Sequence, residues 1–371
     1  MNKLPATSLW RAQIQSVVRL EMKKTFFAKR GLWIYVLALL PILLFIAHAI
    51  ATAHQHNQSV LLGRQNEKPL SYQDLLAVKT GMSSQDVIAL LGKPPGRFHW
   101  TEQRIVEQGA PVQVPHESYH YSDGTNDLYL GFADGKVDHV WIREGYNPGR
   151  DAIMFAGVFQ FFFLRLVVFF GCLGIFMNLF RGEILDRSLH FYFLAPLRRE
   201  VLMVGKFLAG CLATCVIFVT SELLQIVAFT WHFSLSARDL YLYQNHGMAH
   251  AATYLGVTAL ACLGYGAFFL VAGMLFRNPI LPAAAILIWE AVNPFLPSLL
   301  KHFSVIYYLK SLCPVNVPTP PGTPPLFAML VSNPDPVSAP DAVLGVVAVA
   351  LLALYASSLQ VRRMEINYTT E

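Results

Sequence analysis

Six long apolar runs limit the fold of this chain more than any other feature of its sequence. About 20 residues of α-helix cross the roughly 30 Å hydrocarbon core of a bilayer, so each run is long enough to span it. The composition agrees, because 54% of the residues are hydrophobic and only 14% are charged. We therefore predict a polytopic α-helical membrane protein with six transmembrane helices. The runs lie near residues 33–53, 152–180, 201–230, 249–276, 280–300 and 341–360.

The positions of lysine and arginine predict how these helices are oriented. Cytoplasmic loops carry an excess of basic residues close to the ends of membrane spans. Basic residues precede the first run, separate the second from the third and follow the sixth, so we expect both termini to be cytoplasmic. The same clustering explains the net charge of +5 without a nucleic-acid partner.

Residues 1–32 are predicted to form a cytoplasmic amphipathic helix that connects to the first span. Apolar residues recur at every fourth position, which places them on one helical face, and basic residues lie mostly on other faces. A basic helix with an aromatic stripe binds along an anionic membrane surface, so membrane lipid is an expected partner. The run at 33–53 lacks a credible signal-peptide cleavage site and is predicted to remain as transmembrane helix 1. The stripe consists of Trp10, Ile14, Val18, Met22 and Phe26.

Residues 54–150 change character and predict a separate small α+β domain inserted between two spans. Two short helices are expected at 72–78 and 83–91, the second capped by a serine and closed at Gly92. Turn residues then separate alternating segments, which predicts a three-stranded antiparallel meander with a possible extra strand near 97–106. The three strands of the meander are expected at 117–122, 127–132 and 136–143.

Three segments of this domain resemble the BamE/SmpA family of outer-membrane lipoproteins. They read KTGMSSQDV at 79–87, LLGKP at 90–94 and LYLGFADGKV at 128–137. The resemblance implies a two-helix, three-strand fold that works by protein contact, and therefore a periplasmic protein partner. The sequence departs from the family because it has no lipidated N-terminal cysteine and lies between two membrane spans. A spacer domain without a partner is the alternative.

Residues 181–206 form a charged island between two apolar runs and cannot lie in hydrocarbon, where each charge costs a few kcal/mol. The island combines charged residues, an apolar stretch and Pro196 before it enters the next span. Its order resembles the cytoplasmic coupling segment of type-2 ABC exporter permeases, and the six-span plan is similar to that family. The alternative is an ordinary basic cytoplasmic loop. The resemblance implies ATPase-coupling roles for Glu183, Asp186, Arg187, Arg198 and Arg199.

No G-x-x-x-x-G-K-[ST] motif occurs in the sequence, so we do not expect this chain to hydrolyse ATP. The resemblance to type-2 permeases therefore implies a separate ABC ATPase subunit that binds ATP and Mg²⁺, with no cofactor in this chain. It also implies a second permease chain, either a second copy or a related protein, to enclose the transport path. Because a domain outside the membrane requires an envelope, we expect a multi-pass protein of a bacterial inner membrane.

Three ionisable residues lie deep in the apolar runs and are candidates for function, because such residues are costly in a membrane. Arg165 and Glu222 are either an ion pair that stabilises the bundle or part of a transport path. Glu290 has no obvious partner in the sequence and is a candidate to face that path. The external Pro-rich loop at 301–340 contains a predicted re-entrant or surface helix at 303–312.

Two other classes of function are alternatives to an exporter. A membrane enzyme requires converging nucleophile, base or metal-binding groups, and the five cysteines and the histidines near 232–250 match no such spacing. An adaptor would use the spans only to hold the inserted domain against an envelope complex. One span would suffice for that purpose, so the sequence favours the permease subunit of an exporter.

Overall fold

A computed structural model of the chain shows two compact units. The helical unit consists of Met1–Phe45, Asp151–Thr230 and Arg238–Glu371, and the sheet unit of Ile46–Arg150 and Trp231–Ala237. Each unit has its own core. The structure describes residues 6–27, 31–104, 112–145, 147–185, 198–276, 278, 280–319, 322, 324 and 337–363.

Five helical segments in the described part of the chain are long and apolar enough to cross a membrane, which fits a multi-pass membrane protein. Each has at least 24 residues and a mean hydropathy of at least 2.0 over its most apolar stretch. The second segment joins α5 (Pro148–Gly157), a π-helix (Val158–Val168) and α6 (Phe169–Leu185). The other four are α2 (Leu32–Arg64), α7 (Arg199–Thr230), α9 (Gly247–Leu275) and α13 (Ala339–Arg363). Short helical turns between α7 and α9 are α8 (Leu235–Asp239) and a π-helical turn at Leu240–Gln244.

The predicted fifth span, 280–300, is not one long helix. Its α-helical part, α10, covers only Ile280–Val292, and a 3₁₀ turn at Asn293–Phe295 follows. Pro294 and Pro297 account for the break, since proline removes a backbone donor and its ring clashes with the preceding turn. At 1.5 Å per residue, the 13 residues of α10 extend about 20 Å, which is shorter than the hydrocarbon core.

The chain after α10 turns back into the helical unit through α11 (Ser298–Lys301) and α12 (Val305–Leu312). Val305 and Leu309 of α12 are fully buried, so this helix is an internal element of the unit. Two glycines make room for it. A Cβ on Gly264 of α9 would lie 2.8 Å from Val305 Cγ1, and one on Gly345 of α13 would overlap the ring of Tyr308.

Helix α1 (Ala6–Phe27) packs against α7 along one side. Val17 is buried there, and a Cβ on Gly205 would lie 2.8 Å from Val17 Cγ1. The predicted apolar stripe is only partly covered, because Trp10 stays 38% exposed. The buried line of α1 instead includes a charged residue, Glu21, which the stripe did not contain.

Among its described residues, the sheet unit contains four strands rather than the three of the predicted meander. The strands pair antiparallel in sequence order, and the additional one, β1, lies close to the possible extra strand predicted near 97–106. The helices α3 (Tyr72–Ala77) and α4 (Ser84–Leu91) each begin with a capping box. In each box, the side chains of a serine and of an aspartate three residues later accept hydrogen bonds from each other's backbone N–H groups. The strands are β1 (Gly96–Arg104), β2 (Val112–Ser122), β3 (Asp127–Ala133) and β4 (Lys136–Arg143).

The two helices supply the core of the sheet unit by packing on one face of the sheet. Leu75 of α3 and Val87 of α4 are fully buried together with alternate residues of the strands, such as Leu128 and Leu130. Alternation places successive side chains on opposite faces, so the other face of the sheet is left with its own row of aromatic residues. This row includes Tyr129, which stacks on Trp141 with ring centroids 5.1 Å apart.

The carboxylate of Asp127 is buried in the sheet unit and is bound through its Oδ2 atom. It accepts hydrogen bonds from Arg143 and from Ser59 Oγ at 2.8 Å, and His120 Nε2 lies 3.7 Å away. Burial raises the pKa of Asp127, but the donors around it outweigh that effect and hold the pKa at about 2. Asp127 therefore stays ionised inside the domain.

Candidate intramembrane site

Glu290 of α10 binds the beginning of α12. Its carboxylate accepts hydrogen bonds from Ser304 Oγ at 2.7 Å and from the backbone N–H groups of Val305 at 3.0 Å and Ile306 at 2.8 Å. The first N–H groups of a helix have no partner within the helix, and the helix dipole favours a negative charge beside them. Glu290 therefore caps α12 from outside, which the sequence did not indicate because the partners lie 14 to 16 residues ahead.

Arg165 lies near the middle of the second apolar segment, within the π-helix. Its guanidinium carbon is 5.3 Å from the centre of the Phe161 ring on the same helix. The buried Nε of Arg165 has no hydrogen-bond acceptor among the residues that the structure describes. Across from it, the ammonium of Lys310 on α12 lies 5.9 Å from the centre of the same Phe161 ring. Two cationic side chains thus approach one aromatic ring.

Glu222 of α7 is fully buried, and neither carboxylate oxygen has a hydrogen-bond partner in the described part of the chain. Its neighbours on α7 do not supply one: Gln225 donates to Ser221 Oγ at 3.2 Å, and Ser221 donates to the carbonyl oxygen of Ala38 at 2.6 Å. The groups that interact with Glu222 electrostatically are Tyr254 of α9 and Cys313, which follows α12.

Arg165 and Glu222 do not form an ion pair, which was one of the two possibilities that the sequence left open. Arg165 instead interacts electrostatically with Glu290 and Lys310. A π-helix has more residues per turn than an α-helix, because its hydrogen bonds run from residue i to i+5. The π-helix at Val158–Val168 therefore changes the face on which Arg165 lies, and α-helical counting cannot place it correctly.

These side chains interact with one another electrostatically within the helical unit. Electrostatic interactions connect Glu222 to Cys313, Cys313 to Lys310, Lys310 to Arg165, and Arg165 to Glu290. Of the two carboxylates, Glu290 is bound by three donors, and Glu222 has no donor among the described residues. We define Arg165, Lys310 and Phe161 as the cationic site.

Of the five residues predicted to couple to an ATPase, the structure describes the side chains of two. Arg198 lies with its guanidinium carbon 4.9 Å from the centre of the Trp10 ring of α1. Arg199 donates from Nη1 to the carbonyl oxygen of Arg362 at the end of α13, at 3.0 Å. Glu183 belongs to α6, but its side chain lies outside the described residues. Asp186 and Arg187 lie outside them altogether.

A buried ion pair holds the same end of the helical unit together. Lys206 of α7 is fully buried, and its Nζ lies 2.9 Å from Glu21 Oε1 of α1 and 2.8 Å from the carbonyl oxygen of Leu179. Nearby, Glu200 Oε1 accepts from Arg362 Nε at 2.8 Å. The sequence placed Lys206 in the charged island at the membrane face, but it is an internal residue. The start of α7 is thereby joined to both α1 and α13.

Sequence reasoning missed Phe161, Lys310 and the Glu21–Lys206 pair. Phe161 is one of many aromatic residues in its run, and Lys310 counted only as a basic residue of an external loop. The sequence did contain a signal for the Glu21–Lys206 pair, because Glu21 is an acidic residue in an otherwise basic helix. No protein-family model matches this chain, and a search of curated proteins finds no significant match.

Proposed function

We propose that this chain is the membrane-spanning permease subunit of an ATP-binding cassette exporter, coupled to a separately encoded ATPase. The coupling segment at 181–206 would contact the ATPase, and the helical unit would form the substrate path with a second permease chain. ATP and Mg²⁺ would be bound by the ATPase. The membrane would be a bacterial inner membrane, with both termini cytoplasmic and residues 54–150 outside.

The observation that carries the proposal is the set of contacts where α7 begins. Arg199 and Lys206 both belong to the predicted coupling segment. Arg199 bonds to α13, and Lys206, two turns later, bonds to α1. Coupling requires an interface that transmits force without shearing, and buried, charge-assisted contacts suit that role. A force on this segment would move α1, α7 and α13 together.

The test is purification of the tagged full-length chain from its native host in a mild detergent, followed by measurement of Mg²⁺-dependent ATP hydrolysis. We expect a Walker-type ATPase to co-purify and to be lost in the Arg187→Glu variant. Lys79→Glu is the matched control, because it makes the same charge change at an exposed residue of the sheet unit. Equal recovery of the ATPase in both variants, or none in the wild type, would contradict the proposal.

A second function, that of an adaptor, is favoured by one feature of the sheet unit. On the sheet face away from α3 and α4, Phe98 is 69% exposed and Trp141 is 60% exposed. Exposed large aromatic residues are enriched where proteins bind one another. Retention of an envelope protein by the wild type and its loss in Trp141→Ala, with no ATPase in either preparation, would favour the adaptor.

A further inference from the structure

Several oxygen atoms of α7 and α9 are buried in the helical unit without a hydrogen-bond partner among the described residues. The four side chains that carry them are each at most 2% exposed. Nearly all buried polar atoms in proteins are paired with protein, water or an ion, so a group of unpaired ones requires an explanation. The atoms are both carboxylate oxygens of Glu222, Oε1 of Gln225, and the hydroxyl oxygens of Tyr254 and Thr258.

These side chains lie at neighbouring levels of two helices that pack against each other. The Phe155 ring contacts both Phe229 of α7 and Tyr254 of α9, with ring centroids 4.9 Å and 5.2 Å away, so the two residues lie at one level. Phe229 is near the end of α7 and Tyr254 is near the start of α9, so the helices run antiparallel. Gln225 and Thr258 therefore both lie one turn further along the pair.

The hydroxyl of Thr258 differs from those of other threonines in the long helices. Thr214, Thr230 and Thr253 each donate to the carbonyl oxygen four residues earlier, at 2.8–3.0 Å. This bond is a common one for a threonine inside a helix. Thr258 does not make it. Its hydroxyl is therefore not engaged by its own helix and is available to a ligand.

The unpaired atoms of this group are all oxygens, which determines the class of ligand. The amide nitrogen of Gln225 already donates to Ser221, and Glu222 interacts electrostatically with Tyr254. Carboxylate, carbonyl and hydroxyl oxygens suit hard cations rather than soft ones. Glu222 is the one acidic residue of the group, and α9 contains none, so a single positive charge neutralises it.

Two other cations fit the group less well. A divalent ion would leave an uncompensated positive charge in an apolar span, which is costly there. A proton on Glu222 would neutralise the carboxylate, but it bridges only two atoms and would leave the hydroxyls of Tyr254 and Thr258 without a partner. A monovalent metal ion neutralises the charge and binds the neutral oxygens as well.

We propose that Glu222, Gln225, Tyr254 and Thr258 bind a small monovalent metal cation of the sodium class between α7 and α9. Glu222 supplies the negative charge, and the amide oxygen and the two hydroxyls supply neutral ligands. The oxygens are buried between packed helices, so a ligand that reaches them must be small. The site requires no ATPase, and this inference and the proposed function can fail separately.

The test is retention of radioactive Na⁺ by the purified full-length chain in a neutral detergent, with competing chloride salts at constant ionic strength. We expect unlabelled Na⁺ to displace the label and choline to leave it bound. Glu222→Gln should lower the affinity at least about tenfold, and Thr258→Val at least about threefold. Displacement by choline as strong as by Na⁺, stronger displacement by Ca²⁺, or no retention by the wild type would overturn the inference.

Matched variants separate binding from folding. Glu144→Gln removes the same charge at an exposed residue of the sheet unit, and Thr253→Val removes a hydroxyl from the helix that carries Thr258. Both should bind Na⁺ as the wild type does, and equal loss of binding in them would overturn the inference. If Glu222→Gln fails to fold by gel filtration, Thr258→Val provides the same test.

Thermal unfolding gives a second measurement, because an ion that binds only the folded chain raises the unfolding temperature. In sodium-free buffer, Glu222→Gln should unfold at the temperature of the wild type. Sodium chloride should then raise the unfolding temperature of the wild type more than choline chloride does, and should have no such effect on Glu222→Gln. The same sodium-dependent rise in both proteins would overturn the inference.

Discussion

Asp127 of the sheet unit and Glu222 of the helical unit are both carboxylates with almost no exposure, 1% and 0%, yet their surroundings are opposite. Asp127 accepts from Arg143 and Ser59, whereas Glu222 has no hydrogen-bond partner among the described residues. A buried carboxylate without donors is costly when ionised and is retained only if it is neutral or has a use. The comparison suggests that Asp127 serves stability and Glu222 does not.

The largest effect should follow from removing Asp127. In Asp127→Ala, Arg143 loses its buried countercharge, so we expect a loss of about 3–5 kcal/mol from the stability of the sheet unit. Hydrogen–deuterium exchange of the full chain should show faster exchange in β3 and β4. Asp138→Ala is the control, because Asp138 is exposed on the same sheet. Unchanged protection in Asp127→Ala would break the comparison.

Acid should weaken the sheet unit through the same residue. The pKa of Asp127 is about 2 in the folded chain and close to 3.9 in an unfolded one, so its contribution is complete above about pH 5. About 2.5 kcal/mol should be lost as the pH falls from 5 to 1, most of it between pH 4 and pH 2. Exchange protection, corrected for the intrinsic pH dependence, should show this loss. The same profile in Asp127→Asn should lack it, and identical profiles would contradict the assignment.

Substitution of Glu290 should destabilise the protein, as substitution of Asp127 should, because both carboxylates accept hydrogen bonds and Glu222 does not. In Glu290→Gln, the N–H groups of Val305 and Ile306 lose a charged acceptor, which should destabilise α12 by about 2 kcal/mol. We expect faster hydrogen exchange over 305–312 and little change in the sheet unit. Equal protection of these residues in Glu290→Gln and wild type would show that the cap is dispensable.

The packing of α12 against α13 can be tested by a substitution that changes no charged residue. A Cβ in Gly345→Ala would overlap Tyr308, so we expect a loss of about 1 kcal/mol or more from overpacking. Gly256→Ala is the matched control, because a Cβ there meets no atom within 4 Å. Thermal unfolding of the two variants should separate them. A lower unfolding temperature for Gly256→Ala than for Gly345→Ala would refute the packing account.

The smallest effect is expected for Glu222. Since its carboxylate has no donors to lose, Glu222→Gln should change the stability of the helical unit by less than about 0.5 kcal/mol. The unfolding temperature should stay within the error of the wild type, in contrast to Glu290→Gln. A large destabilisation would show that Glu222 has a stabilising partner after all.

The sequence predicted the elements whose causes are local. Apolar length located the long helices, serine and glycine signals located α4, and turn residues located β3 and β4. The break after α10 is also visible in Pro294 and Pro297, although run length alone obscured it. The strand β1 was predicted only as a possible strand, because its own alternation of apolar and polar residues is weak. In the structure it pairs with β2, with Phe98 opposite Ser118.

The candidate site was harder to predict because its geometry is not local. Arg165, Glu222 and Glu290 could be selected by their cost in a membrane, but their partners could not. A π-helix turns Arg165 away from the α-helical face, and Glu290 meets a helix that begins 15 residues later. Lys310 entered the site only because two glycines admit α12 into the helical unit.

The most direct test of the proposed function is ATP hydrolysis by the assembly purified from the native host. The account predicts Mg²⁺-dependent hydrolysis that stays with the full-length chain through gel filtration and disappears when the chain is stripped of its partner. A folded chain that carries no ATPase under any mild extraction condition would contradict the exporter proposal.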